Sequence, residues 1–276
     1  IFVCLIMITG FIPPANAAVV GTTDDSMVIG GGARPIGMGK AFVAIVDDAD
    51  APLINPAGLA GLKGPQAMGM QTNLIGDVYY YEFVGAVPTP RGTVGLAYVT
   101  TGVSNIIVNT TTIPADYYDS MLLFSYAVPL STWVNYGRNV YVGGNFKIFN
   151  RGYTGGIANQ FATGYSADIG LKFLLNQNVS FGIVRQNFIP ASMGSVLRLS
   201  GGDAEYFASL IKAGIALKPV FVPKLLAAFD TDIPQQTGRP VTSHLGFEWK
   251  ENQYISIRAG LDQSIAERLF QPFVTS

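Results

Sequence analysis

Apolar and polar positions alternate with a period of two along most of this chain. In Gly164–Phe173, Tyr165, Ala167, Ile169, Leu171 and Phe173 fall on one face, and Ser166, Asp168, Gly170 and Lys172 on the other. Val140–Phe149 sets Val142, Phe146 and Ile148 against Tyr141, Asn145 and Lys147. Thr242–Lys250 sets Leu245, Phe247 and Trp249 against His244, Gly246, Glu248 and Lys250, and Tyr254–Asp262 sets Ile255, Ile257, Ala259 and Leu261 against Ser256, Arg258 and Asp262. A strand sends successive side chains to opposite faces, so this alternation predicts strands with one oily and one polar face. It places them near 66–75, 79–88, 93–101, 118–130, 139–150, 162–175, 179–188, 207–218, 224–234, 241–250 and 253–262. The pattern is weakest in the first and the seventh, where Arg185 interrupts it. Most of these segments have the roughly 9–11 residues that a tilted transmembrane strand needs.

The connections add a direction. Thr89–Gly92, Asn176–Asn178, Pro219–Pro223 and Glu251-Asn252 are short. Gly102–Tyr117, Arg151–Phe161 and Ile189–Tyr206 are long and rich in Thr, Asn, Gly, Ser and Tyr. From Thr89 onward shorter and longer connections take turns, the Gly76–Val78 link before it being the exception. Outer-membrane barrels are built this way, with tight turns on the periplasmic side and longer loops outside.

Composition sharpens the reading. Charged residues make up 13% of the 276, against roughly 25% in soluble domains. Hydrophobic residues make up 49%, and mean hydropathy is +0.34. Part of the exterior is therefore expected not to meet water. The net charge of -1 and the absence of a Lys/Arg cluster argue against a nucleic-acid partner. Beyond the N-terminus no stretch approaches a transmembrane helix. The remaining spanning solution is a closed barrel, in which every backbone polar group is paired.

Residues 1–17 read as a signal peptide. Ile1–Ile12 is apolar, Pro13-Pro14 break the run, and Ala15-Asn16-Ala17 is an A-x-A site with cleavage expected after Ala17. The apolar run is shorter than the roughly 20 residues of a membrane span. Cys4, the chain's one cysteine, lies in this segment, so no disulfide or cysteine metal site is expected in the mature chain.

Candidate chemistry is sparse. Gly30-Gly31-Gly32 and Gly37-Met38-Gly39-Lys40 fit neither a P-loop nor a dinucleotide fingerprint, because Arg34 and Ala41 stand where Gly and Ser/Thr are needed. Asp47, Asp48 and Asp50 lack the spacing of a calcium loop and fit better as partners for basic side chains or backbone N–H groups. His244 is the one histidine, which leaves no His-based metal cluster. Lys147, Asp168, Lys172, Lys212, His244, Glu248, Arg258 and Asp262 all fall on the polar face of their strands. On a lipid face a Lys or Arg costs about 2–4 kcal/mol at the midplane, so these charges are expected to line the lumen. Tyr79–Tyr81, Tyr117-Tyr118, Trp133, Tyr136 and Trp249 lie near strand ends and suit an interfacial aromatic girdle. Asn55-Pro56 predicts a helical start, with Asn as N-cap and Pro at the first position.

Just ahead of the strands, Gly37/Gly39, Asp47-Asp48-Ala49 and Asn55-Pro56-Ala57 follow one another in an order that resembles the N-terminal hatch of the FadL-type outer-membrane transporters and their PorV/PorQ relatives. Asp168-Ile169-Gly170-Leu171, Gln186-Asn187-Phe188 and Arg258–Gln263 are similar to PorV/PorQ strand motifs. The resemblance implies an all-β fold: an antiparallel transmembrane β-barrel of about fourteen strands closed by a short plug containing helical turns. About eleven strands are expected here, as in a fragment lacking the last three. The implied organisation is a signal peptide at 1–17, a hatch at 18–64 and a barrel at 65–276. Gly37, Gly39, Asp47, Asp48, Asn55, Pro56, Ala57 and Gly58 are expected to anchor the hatch. The implied function is passive, cofactor-free and non-enzymatic: passage of a hydrophobic solute such as a fatty acid across the outer membrane, the ligand leaving sideways through the wall. The alternative is a PorV-like accessory barrel that docks secreted protein cargo. A water-filled porin is a third reading, against which the plug argues.

Overall fold

The computed structural model describes residues 22–23, 31–74, 78–107, 114–133, 139–155, 159–198, 204–236 and 239–263. The expected signal peptide and Tyr136 lie outside them. Eleven strands form one antiparallel sheet: β2 (Gln66–Leu74), β3 (Val78–Thr89), β4 (Gly92–Ile106), β5 (Ala115–Pro129), β6 (Val140–Gly155), β7 (Gln160–Leu174), β8 (Val179–Gln186), β11 (Leu210–Leu217), β12 (Leu225–Pro234), β13 (Thr242–Lys250) and β14 (Ser256–Asp262). They pair in chain order, β8 with β11, and the sheet is not closed: β2 and β14 each pair on one side. A second sheet joins β1 (Thr22–Thr23), β10 (Ala204–Phe207) and β9 (Val196–Arg198).

The two faces of the large sheet are opposite in chemistry. Register aligns Phe83 with Tyr98, Leu96 with Phe124, and Phe124 with Phe146, and all of these are exposed. The row continues through Phe173, Phe181, Ile215, Phe229, Phe247 and Ile257. The other face carries Glu82, Asn145, Lys147, Asp168, Asp230, His244 and Glu248, all buried. A water-soluble globule does the reverse, and exposed apolar surface this extensive marks contact with lipid or a partner. No helix among the described residues is long and apolar enough to cross a membrane.

Residues 31–62 fill the concave face near the short-turn end. They are compact: a short helix Ala33–Gly37, a helical turn Ala51–Ile54 and a 3-10 helix Pro56–Gly61. Met38, Ala41–Val46, Ala49, Ala51, Ala57 and Leu59 are buried, so this segment brings its own apolar core into a polar-walled space. The space is shaped to receive it by glycines. Gly143, Gly170, Gly182, Gly246 and Gly260 point inward on β6, β7, β8, β13 and β14, and a Cβ on any of them would collide with Pro56, Asn55, Val43, Met38 or Gly39 respectively. A glycine lets another backbone approach closely, and here the wall does this on strand after strand.

From β3 to β7 the strands run further than the alternation predicts, whereas β8 and β11 to β14 are slightly shorter than predicted, β14 beginning at Ser256 rather than 253. β4 continues to Ile106 through a bulge between Val103 and Ile106, and β5, β6 and β7 lengthen to match, so the expected loops at 102–117 and 151–161 are shorter. The expected solvated loop at 189–206 instead contains β9 and β10, and the strand predicted from 207 begins at Leu210. Leu197 and Phe207 are buried on the concave face, with Phe207 stacked on Phe149 at 4.2 Å. Strands of three and four residues are too short to show a period, which is why the pattern misses them.

Candidate functional site

The chemistry lies where segment 31–62 meets the wall. Arg34 is its centre. Its guanidinium reaches Asp47 (2.6 Å) and Asp48 (2.9 Å) on its own segment, and Glu248 on β13 at 3.0 Å. Glu248 also accepts from Arg258 on β14 at 2.8 Å. Buried carboxylates demand compensation, and the fork of an arginine supplies it with direction as well as charge. The carboxylates hold the Arg34 proton far more tightly than in water, although burial alone opposes its charge. Asp47 and Asp48 therefore pair with a residue of the same segment, and the wall enters through Glu248.

Asn55 joins the segment to β7. Its side-chain oxygen accepts from the Ala57 N–H at 3.2 Å, the expected cap, with Pro56 at the first position of the 3-10 helix. Its amide donates to the carbonyls of Val43 (3.0 Å) and Leu171 (3.1 Å). Pro56 and Ala57 lie over Gly143, while Gly58 packs against Val46. Gly37 sits beside Arg258, and Gly39 takes a left-handed φ of 60° against the backbone of Gly260 and Leu261.

The wall answers with buried polar groups. Asp230 accepts from the N–H groups of Phe42 (2.6 Å) and Val43 (2.7 Å). Lys172 donates to the carbonyls of Ile45 and Val46, and Ser180 to that of Ala44 at 2.9 Å. Asn145 donates to the Pro52 carbonyl at 2.7 Å and to Asp168 at 3.0 Å, and Lys147 pairs with Asp168 at 2.8 Å. Lys40 and His244 both approach Asp262, at 2.9 and 3.1 Å. Glu82 accepts from Gly32 N–H at 3.1 Å and Tyr80 O–H at 2.6 Å. The bonds to Gly32, Phe42, Val43, Ala44, Ile45, Val46 and Pro52 satisfy backbone groups of this irregular segment, and the others pair polar side chains with one another.

Arg34, Glu82, Asn145 and Asp230 were not singled out from the sequence. Strand parity carries the signal for the last three, since Asp230 follows Leu226 and Ala228 on one face of β12. For Arg34 no periodicity exists to read. Of the expected aromatic girdle, Tyr79, Tyr81, Tyr118 and Trp249 face outward and Trp133 is exposed, but Tyr80 and Tyr117 turn inward: Tyr80 bonds Glu82, and Tyr117 lies beneath Arg151. Adjacent residues of a strand cannot share a face.

At the long-loop end Arg151 bridges Asp119 (2.6 Å) and Glu205 on β10, tying β10 to the inner wall. Both ends of the concave face are thus occupied. At the short-turn end a cavity of about 260 Å³ remains between the two layers, lined by Asp47, Lys172, Ser180 and Lys218 among others. Among the described residues no group of three or more His, Cys, Asp or Glu is placed to hold a metal ion.

A solved structure of the CymD monoaromatic hydrocarbon channel matches with a TM-score of 0.60 over 86% of this chain and 84% of that one, at 14% identity. A TodX deltaS2S3 mutant, also a monoaromatic hydrocarbon channel, matches with a TM-score of 0.50 over 80% and 82%, at 11% identity. The chain shares the fold of these two channels, an all-β wall of antiparallel strands. At these identities the likeness concerns architecture alone. No protein-family model and no curated protein matches the chain. The PorV/PorQ likeness of the strand motifs receives no support from these two structures.

Proposed function

We propose that this chain forms the wall and hatch of an outer-membrane channel that passes a hydrophobic solute passively, without enzymatic chemistry. One observation carries the reading: the sheet buries ionic side chains on its concave face and exposes aromatic and aliphatic ones on its convex face. In lipid, that inversion is the stable arrangement. The hydrocarbon channels that share the fold support it. Residues 18–64 act as the hatch, seated by Arg34, Asn55 and the glycines facing it, and residues 1–17 direct export.

An apolar solute is favoured because residues 31–62 and β9–β10 both pack against the concave face, where a water-filled pore would need open space. Fatty acid and monoaromatic hydrocarbon are the two solutes to compare. The test is uptake of radiolabelled laurate and of toluene by cells lacking their own channels, with and without this protein in the outer membrane. Faster uptake of either solute supports the reading and names the class. Unchanged uptake of both, with the protein folded in the outer membrane, refutes it.

A further inference from the structure

The register places one lysine or arginine on the convex face of the described strands, and it is Arg185 on β8. Its cross-strand neighbours are Ile169 on β7 and Ile211 on β11, and Ile183 precedes it on the same face. The residue is half-buried, and its Nε is shielded from solvent with no hydrogen-bond partner. No carboxylate among the described residues lies within ion-pair distance. An uncompensated guanidinium in an apolar wall is unfavourable, and where one occurs within a membrane it marks a site.

Its position is also singular. Ile169–Arg185 is the last pair of the β7–β8 ladder. Beyond it β7 runs on through nine residues, Gln160–Asp168, without β8 beside it. There the chain leaves the wall: Phe188 N–H still bonds the Ala167 carbonyl at 2.9 Å, Met193 lies outside with its carbonyl accepting from Tyr165 O–H, and Ser195 is already buried beside Ser166. The seam is closed by side chains and a loop, flanked by exposed Phe188, Met193 and Tyr165. A cation at an apolar seam matches an amphiphile, with an anionic head on the guanidinium and a hydrocarbon tail along the aliphatic wall.

We propose that Arg185 binds the carboxylate or phosphate head of an amphiphile at the outer end of the β7–β8 ladder. This rests on the convex face being the lipid-facing one. A guanidinium presents paired N–H donors to such a head, whereas an ammonium offers a point charge.

The experiment uses the full chain in neutral-lipid nanodiscs, comparing wild type with Arg185→Gln and Arg185→Lys. Laurate probes the carboxylate source, phosphatidylglycerol the phosphate source and dodecanol the tail alone. Binding is read by native mass spectrometry and by quenching of a label at Phe188→Cys with doxyl-labelled analogues. Loss of a charge-assisted pair is expected to weaken laurate or phosphatidylglycerol by about tenfold in Arg185→Gln, with partial recovery in Arg185→Lys and no change for dodecanol. Whichever anion responds identifies the source. Equal affinity of wild type and Arg185→Gln for both anions overturns the site. A label at Ile215→Cys, on the same face but away from the seam, reports separately on lipid contact, so failure of the site and failure of the membrane reading are told apart.

Discussion

Arg34 is the side chain on which the seating of residues 31–62, the proposed hatch, turns most directly, because three carboxylates converge on it. Removing one partner of a buried ionic cluster strands the others, which costs about 3–5 kcal/mol. Arg34→Gln is expected to destabilise the hatch by about that amount, since Glu248 keeps Arg258 while Asp48 loses its cation. Protease cleavage within residues 31–62 should appear in the variant while the strands stay protected; an unchanged digestion pattern counts against the role. Asp50 makes a second prediction at this scale. It is fully buried, and burial, then the neighbouring Asp48 and Glu82 carboxylates, push its carboxyl up to about 7. The folded state thus binds a proton that the unfolded chain releases near pH 4. The stabilisation from that proton is complete below about pH 4 and falls away as pH rises towards 7. The urea midpoint of wild type relative to Asp50→Asn should decline between pH 4 and 7 and level off above. A difference that stays constant with pH contradicts it. Little of this cluster was legible in the sequence. Asp47 and Asp48 were visible as anchors in want of a base, but their base lies in an aperiodic stretch where spacing says nothing about contact.

At the scale of elements, the sequence was legible wherever the period of two holds. Lys147, Asp168, Lys172, His244, Glu248, Arg258 and Asp262 were assigned to one face by parity, and in the structure all stand on the concave face. The strand ends and β9–β10 were not legible, because short strands and polar extensions lack the oily row that makes a strand visible. The inward glycines were legible in principle. Each sits on the polar face of its strand, at a level where a polar side chain would otherwise stand, but only the segment packed on it explains the glycine. Gly170→Val tests this. Its side chain would collide with Asn55, and overpacking of this kind costs about 1–3 kcal/mol. The valine is expected to unseat the hatch from β7, which single-channel recording would detect as raised ion conductance. A variant as closed as wild type would show that the hatch does not depend on that contact.

The whole molecule is organised by one inversion, with charge inside and hydrocarbon outside, and the segment between them built to satisfy both its own apolar core and the polar wall. Alternation and the shortage of charge already imply two faces of opposite chemistry, because each strand sends successive side chains to opposite sides. They did not foretell how the concave face is filled. Two elements enter from opposite ends, residues 31–62 at the short turns and β9–β10 at the long loops, and both depend on contacts between residues far apart in the chain. The direct measurement is nitroxide accessibility at Phe83→Cys, Ile215→Cys and Phe229→Cys against Glu82→Cys and Gly214→Cys, with the full chain folded in vesicles. Oxygen dissolved in the lipid should relax the first three labels and leave the other two shielded. Were the first three shielded from lipid and the other two open to it, the wall would face the other way and the channel reading would fall.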